Sequence, residues 1–125
     1  MGLRALLAIA CLVSAAVHFT LWAFEDFSEL EVVGPAFLVN SVAGIVIAVL
    51  LVIGRGSWLP LFLAFGFGAS TLLAFAISTT PTGLFGVHDS WLGVPQMTAA
   101  IAETVLVVGS VVAARREGWI GVGTV

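Results

Sequence analysis

Charge is what this sequence lacks. Asp, Glu, Lys and Arg make up 9% of its 125 residues, against about 25% in a soluble domain. Lysine is absent and arginine occurs four times, so no basic patch is available to hold a phosphate backbone, which excludes a nucleic-acid binder. A single cysteine, Cys11, excludes an internal disulfide and is read as a small apolar packing residue. No nucleophile motif, phosphate-cradling glycine loop or catalytic pair of recognisable spacing occurs. Gly66-Phe67-Gly68 falls inside an apolar run, where a nucleotide loop has no place. Internal repeats, domain boundaries and low-complexity tracts are also missing, and two inverted helix pairs share no common pattern.

What is present is hydrophobicity: 61% apolar residues and a mean hydropathy of +1.22. Such a chain is neither a water-soluble globule nor a disordered segment, and its length suits one domain over residues 1–125. A helix needs roughly 20 mostly apolar residues to cross a bilayer, because no water is there to satisfy the backbone. Four stretches meet that length: residues 3–24, 35–54, 58–78 and 94–114. The expected fold is an all-α, four-helix integral membrane bundle.

The punctuation agrees. Gly34-Pro35 reads as a cap and first-turn proline, Ser57 as a cap ahead of Pro60, and Ser90 or Gly93 as the start of the last helix with Pro95 in its first turn. All four arginines (Arg4, Arg55, Arg115, Arg116) fall on one side of the bundle. The positive-inside rule makes that side cytoplasmic, with both termini there, in a bacterial plasma membrane. Trp22, Trp58, Trp91 and Trp119 sit at span ends, as interfacial anchors do. Arg4 ahead of an apolar run resembles the start of a signal peptide, and Ala8-Ile9-Ala10-Cys11 a lipoprotein cleavage site. The apolar run before Cys11 is too short and hydrophobicity continues past it, so an uncleaved first helix is expected. Small residues form stripes for close helix packing or a homo-oligomer seam: Ser41, Gly44 and Ala48; Gly66 and Ser70; Gly109 and Ala113.

Polar residues inside lipid are costly and face a bundle interior or a watery cavity. At about 1.5 Å per residue, His18, Asn40, Ser70, Thr71 and Glu103 all lie roughly 7 to 14 Å from the outer end of their spans. Every helix therefore supplies a polar group to one layer, while the inner half offers little beyond Ser14 and Ser110. A site opening outward is expected, with these five as ligand or proton-site residues. A lone carboxylate at the depth of Glu103 either keeps its proton or pairs with a partner such as His18. It could relay protons, bind a cation, or hold the head group of a quinone or lipid; the bland alternative is polar glue between helices one and four.

His18, His88, Asp89 and Glu103 form a weaker metal set, and His18 with His88 a weaker haem pair, since no short ligand spacing supports either. Asp89 and Ser90 read more simply as helix caps. The acidic stretch 25–31 attracts cations or a basic partner, or is merely a solvated loop.

Five features, Ala15-Ala16-Val17-His18-Phe19, Gly34-Pro35-Ala36-Phe37, Asn40, Thr79-Thr80-Pro81-Thr82-Gly83-Leu84 and a Glu in the last span, resemble uncharacterised small four-helix integral membrane proteins of actinobacterial type. The resemblance implies a multi-pass membrane protein and brings no activity with it. The expectation is a non-enzymatic accessory subunit or ligand- or proton-binding bundle, with the lipid bilayer and a membrane protein or second copy as partners. A small oligomeric transporter or channel is the alternative, and a haem- or quinone-binding redox anchor a third.

Overall fold

The computed structural model describes residues 2–24, 29, 31–84, 86–89 and 93–121. Four helices follow one another: α1 (Leu3–Phe24), α2 (Val33–Ile53), α3 (Leu59–Ser78) and α4 (Val94–Arg116). Each is long and apolar enough to cross a membrane. At 1.5 Å per residue their lengths match a hydrocarbon core of about 30 Å.

Local chemistry sets the ends, with some differences from expectation. Helix α2 starts two residues early, at Val33, so Gly34 is buried inside the first turn rather than capping it. Pro35 then occupies the third helical position, where its missing N–H has no partner within the helix anyway. Ser57 does serve α3, its Oγ accepting the Leu59 N–H at 3.1 Å. Gly93, in extended conformation, precedes α4; Ser90 lies outside the described residues, as do Trp91 and most of the acidic stretch 25–31. Helix α4 runs on to Arg116, because arginines in a last turn suit the negative end of the helix.

Glycines decide how closely the helices approach. A Cβ on Gly44 would meet Ala15 Cβ at 2.9 Å and the Cys11 carbonyl at 3.0 Å, so α1 and α2 touch at backbone distance. Gly109 accommodates Leu7 of α1 in the same way. On α3 the expectation is corrected. Gly66 is exposed with no neighbour within 4 Å, and Ser70 is exposed toward the opening between α2 and α3 rather than packed on a neighbouring helix. The close approach to α4 is at Gly68, whose Cβ would stand 2.8 Å from Leu106 Cβ and 2.9 Å from the Glu103 carbonyl oxygen. Pairs α1–α2, α3–α4 and α1–α4 pack tightly, while α2 and α3 touch sparsely.

The end carrying both termini is closed. Leu7, Leu51, Leu61 and Leu106 form a dry core there. Arg4 ties it together, its guanidinium donating to Glu117 Oε1 and Oε2 at 2.7 and 2.8 Å, to Gly54 O at 3.1 Å and to Ser57 O at 2.6 Å. Arg4 thus links α1 to the α2–α3 turn and to the end of α4. Its place in the sequence indicates orientation alone. At the opposite end, a turn with Gly83 at φ +70° and a Leu84–Val87 bridge folds the α3–α4 connection back, and the Asp89 N–H donates to Ser78 O at 2.9 Å.

The bundle's surface is apolar and its interior partly polar. Val39, Phe62, Leu73, Ile101 and Val108 are exposed, whereas Ser14, Ser41, Glu103 and Ser110 are buried. A water-soluble bundle shows the reverse arrangement. Lipid accepts this surface.

Candidate functional site

Where α2 and α3 diverge, away from the termini, a cavity of about 330 Å³ opens between the four helices and under the α3–α4 connection. His18, Asn40, Ser70, Thr71 and Glu103 all line it, so the polar layer expected from depth counting converges on one space. Convergence requires that each helix also be rotated the right way about its axis. The close contact of Gly68 with the Glu103 backbone does this for α3 and α4.

Glu103 forms the floor, with 1% of its surface exposed. Ser14, itself buried, donates its hydroxyl to Glu103 Oε2 at 3.1 Å. The imidazolium–carboxylate pair is not formed. His18 instead folds back one turn, and its Nδ1–H donates to Ser14 O at 2.7 Å. A carbonyl can only accept, so Nδ1 carries the proton and Nε2 keeps its lone pair. The Ser14 hydroxyl lies 3.4 Å from Nδ1 and so stands between the two groups. Edge-on contact with Phe37, at 4.9 Å between centroids, holds the imidazole against α2.

The remaining hydroxyls are committed to helix carbonyls. Thr71 Oγ1 donates to Phe67 O at 2.7 Å, Ser70 Oγ to the same oxygen at 3.2 Å, and Ser78 Oγ to Phe75 O at 2.6 Å. Asn40 Oδ1 is buried without a partner.

Gln96 was not among the expected site residues, and Asp89 was expected only as a weak metal ligand or a helix cap. Gln96 and Asp89 line the mouth, Gln96 Nε2 donating to Asp89 Oδ1 at 2.9 Å. That bond fixes the amide orientation, since a carboxylate takes the NH₂ side, and it leaves Gln96 Oε1 buried without a partner. The usable signal was a glutamine in the first turn of the least hydrophobic span, just beyond Asp89. Gly93 holds the position ahead of α4, while the Asp89 carboxylate holds Gln96 and its N–H serves the end of α3.

The histidine-based alternatives find no assembly. Among the described residues, no three His, Cys, Asp or Glu side chains come together as a metal set. The α3–α4 connection does reach over the bundle, as a haem pair would need, but it presents Leu84, Val87 and Asp89 to the cavity. His88 is exposed and turned away, its Nε2 donating to Pro81 O at 3.1 Å. Trp58 and Trp119 lie exposed at the termini end, and Trp22 stacks near Phe19 toward the other, at 5.9 Å between centroids.

Comparison of the chain with protein-family models, curated proteins and solved structures gave no match. What the cavity can do follows from its own chemistry. Its walls are aliphatic and aromatic, its floor is a carboxyl, and it lies within the size range of small-molecule sites, about 300–1,000 Å³.

Proposed function

We propose that this chain is a single-domain, multi-pass protein of the bacterial plasma membrane, with both termini cytoplasmic. It binds a small amphipathic molecule in a cavity facing the outer leaflet and performs no chemistry of its own. The observation that carries this reading is the cavity of about 330 Å³ with apolar walls and a fully buried carboxyl at its floor. Burying a carboxyl is expensive, and a binding role gives that cost a use. With four arginines at the termini end, the positive-inside rule turns the cavity outward.

A channel or transporter path is the weaker reading. The leucine core and the Arg4 cross-links close the cytoplasmic end. Short connections leave little surface outside the bilayer, so the bound state is passed on through the lipid-facing helix surfaces to a membrane partner or a second copy.

The test uses 1-naphthalenemethanol, a neutral fluorescent probe, and protein in phosphatidylcholine nanodiscs, with protein-free discs as background. Saturable binding of one probe per chain, abolished by Ala74→Phe on the cavity wall, is expected. Binding no greater than to empty discs, or unaffected by Ala74→Phe, rejects the proposal.

A further inference from the structure

The cavity's hydrogen-bonding surface has one sign. Nearly every polar group on it presents a lone pair. Ser70, Thr71 and Ser78 have spent their protons on backbone carbonyls. Ser14 has given its proton to Glu103, and His18 Nδ1–H is held by Ser14 O, which leaves Nε2 as an acceptor. Gln96 has given an N–H to Asp89, and its oxygen is buried against Gly93. The Asn40 oxygen is buried and unsatisfied. Among the described lining side chains, the uncommitted donor is the Asn40 amide nitrogen.

Formal charge has the same bias. Two carboxyl groups, Asp89 and Glu103, line the cavity, and neither Lys nor Arg does. Sequence extends the asymmetry to the whole opening. The chain has no lysine, all its arginines lie at the termini end, and the described acidic residues Glu29 and Glu31 fall between α1 and α2, at the end where the cavity opens. Between these acceptors the walls are apolar, with the rings of Phe37 and Phe75 among them.

The buried Asn40 oxygen has no donor in the empty protein, which costs free energy. A ligand that satisfies it must bring a hydrogen-bond donor. One that also stands opposite a buried carboxyl gains from positive charge, since a cation gives that carboxyl a partner for its ionised form, whereas an acceptor-only anion meets lone pairs instead. Aromatic faces in the walls favour a cation further.

We propose that the cavity is selective for lipophilic cations: an ammonium or amidinium group carrying N–H donors, attached to an apolar body. The head group bonds to Asn40 Oδ1, once that amide turns toward the cavity, with Glu103 as counter-charge, and the body lies between α2 and α3. This ligand class rests on the binding role proposed above.

Three probes that share a naphthylmethyl body separate the two. Protein in phosphatidylcholine nanodiscs is titrated with 1-naphthylmethylammonium, 1-naphthalenemethanol and the carboxylate 1-naphthaleneacetate, with protein-free discs subtracted. The ammonium is expected to bind at least about tenfold more tightly than the alcohol, and the carboxylate more weakly than either. Glu103→Gln keeps the shape and the bond from Ser14 while removing the charge, and should bring the ammonium within about threefold of the alcohol. Asn40→Leu removes an acceptor that bonds nothing in the empty protein, so the fold does not depend on it. It should weaken ammonium binding, and it decides the matter if Glu103→Gln does not fold. Equal binding of all three probes, preference for the carboxylate, or an ammonium preference unchanged in both variants overturns the cation proposal and leaves the binding role standing. Failure of every probe to saturate overturns both.

Discussion

Gly66 and Gly68 lie on the same helix, two residues apart, and should respond oppositely to the same change. A Cβ on Gly68 would fall 2.8 Å from Leu106 Cβ and 2.9 Å from the Glu103 carbonyl oxygen, where ordinary contact begins at 3.4 Å. The shortfall is about 0.6 Å at the closer atom. Neither neighbour is a flexible side-chain tip, so α3 and α4 must part. Overpacking of this kind costs about 1–3 kcal/mol. Alanine also gains about 1 kcal/mol over glycine in a helix, which leaves Gly68→Ala destabilising by about 0–2 kcal/mol. Gly66→Ala meets nothing within 4 Å and should be neutral or stabilising by up to about 1 kcal/mol. The propensity gain cancels in the difference between the variants, which is therefore about 1–3 kcal/mol. Reversible unfolding of both in mixed micelles, followed by tryptophan fluorescence, measures it. Because Gly68 abuts the residue that forms the cavity floor, Gly68→Ala should also weaken probe binding while Gly66→Ala does not. Equal stabilities within about 0.5 kcal/mol would refute the assigned α3–α4 contact.

The Arg4 guanidinium, through its hydrogen bonds, holds the Glu117 carboxyl below the usual carboxylate range. A depressed folded value stabilises the protein above the unfolded carboxyl value, near pH 4.5, and the contribution is lost as pH falls through the lower folded value. Wild type should therefore be more stable than Glu117→Gln at pH 6, with the gap closing on acidification below about pH 4.5; a gap that widens in acid contradicts the pairing. The orientation is tested by single cysteines in a Cys11→Ser background: an impermeant maleimide added to intact cells should label Thr82→Cys and spare Ser57→Cys, and the opposite pattern would turn the cavity toward the cytoplasm.

Much of this protein follows from one-dimensional information. An apolar run of about 20 residues forms a helix wherever lipid or other helices exclude water, and a rise of 1.5 Å per residue fixes the depth of every polar group. The four helices, their approximate ends and the shared level of His18, Asn40, Ser70, Thr71 and Glu103 were legible for that reason. Rotation about the helix axis was not. In a soluble bundle an amphipathic stripe marks the buried face, but these helices carry apolar residues on their buried and exposed faces alike. Gly66 and Gly68 look alike in sequence; only packing against Leu106 shows which one α4 touches. His18 and Glu103 share a depth, yet the imidazole turns to its own helix because the Ser14 carbonyl is one turn away. Arg4 carries an orientation signal in sequence, while its bonds to Gly54, Ser57 and Glu117 need three chain segments brought together. Asp89 and Gln96 join the site only because the connection after α3 folds back across the bundle. Length and depth belong to each helix alone. The facing of side chains, and with it the acceptor-lined cavity, exists only once all four helices have packed.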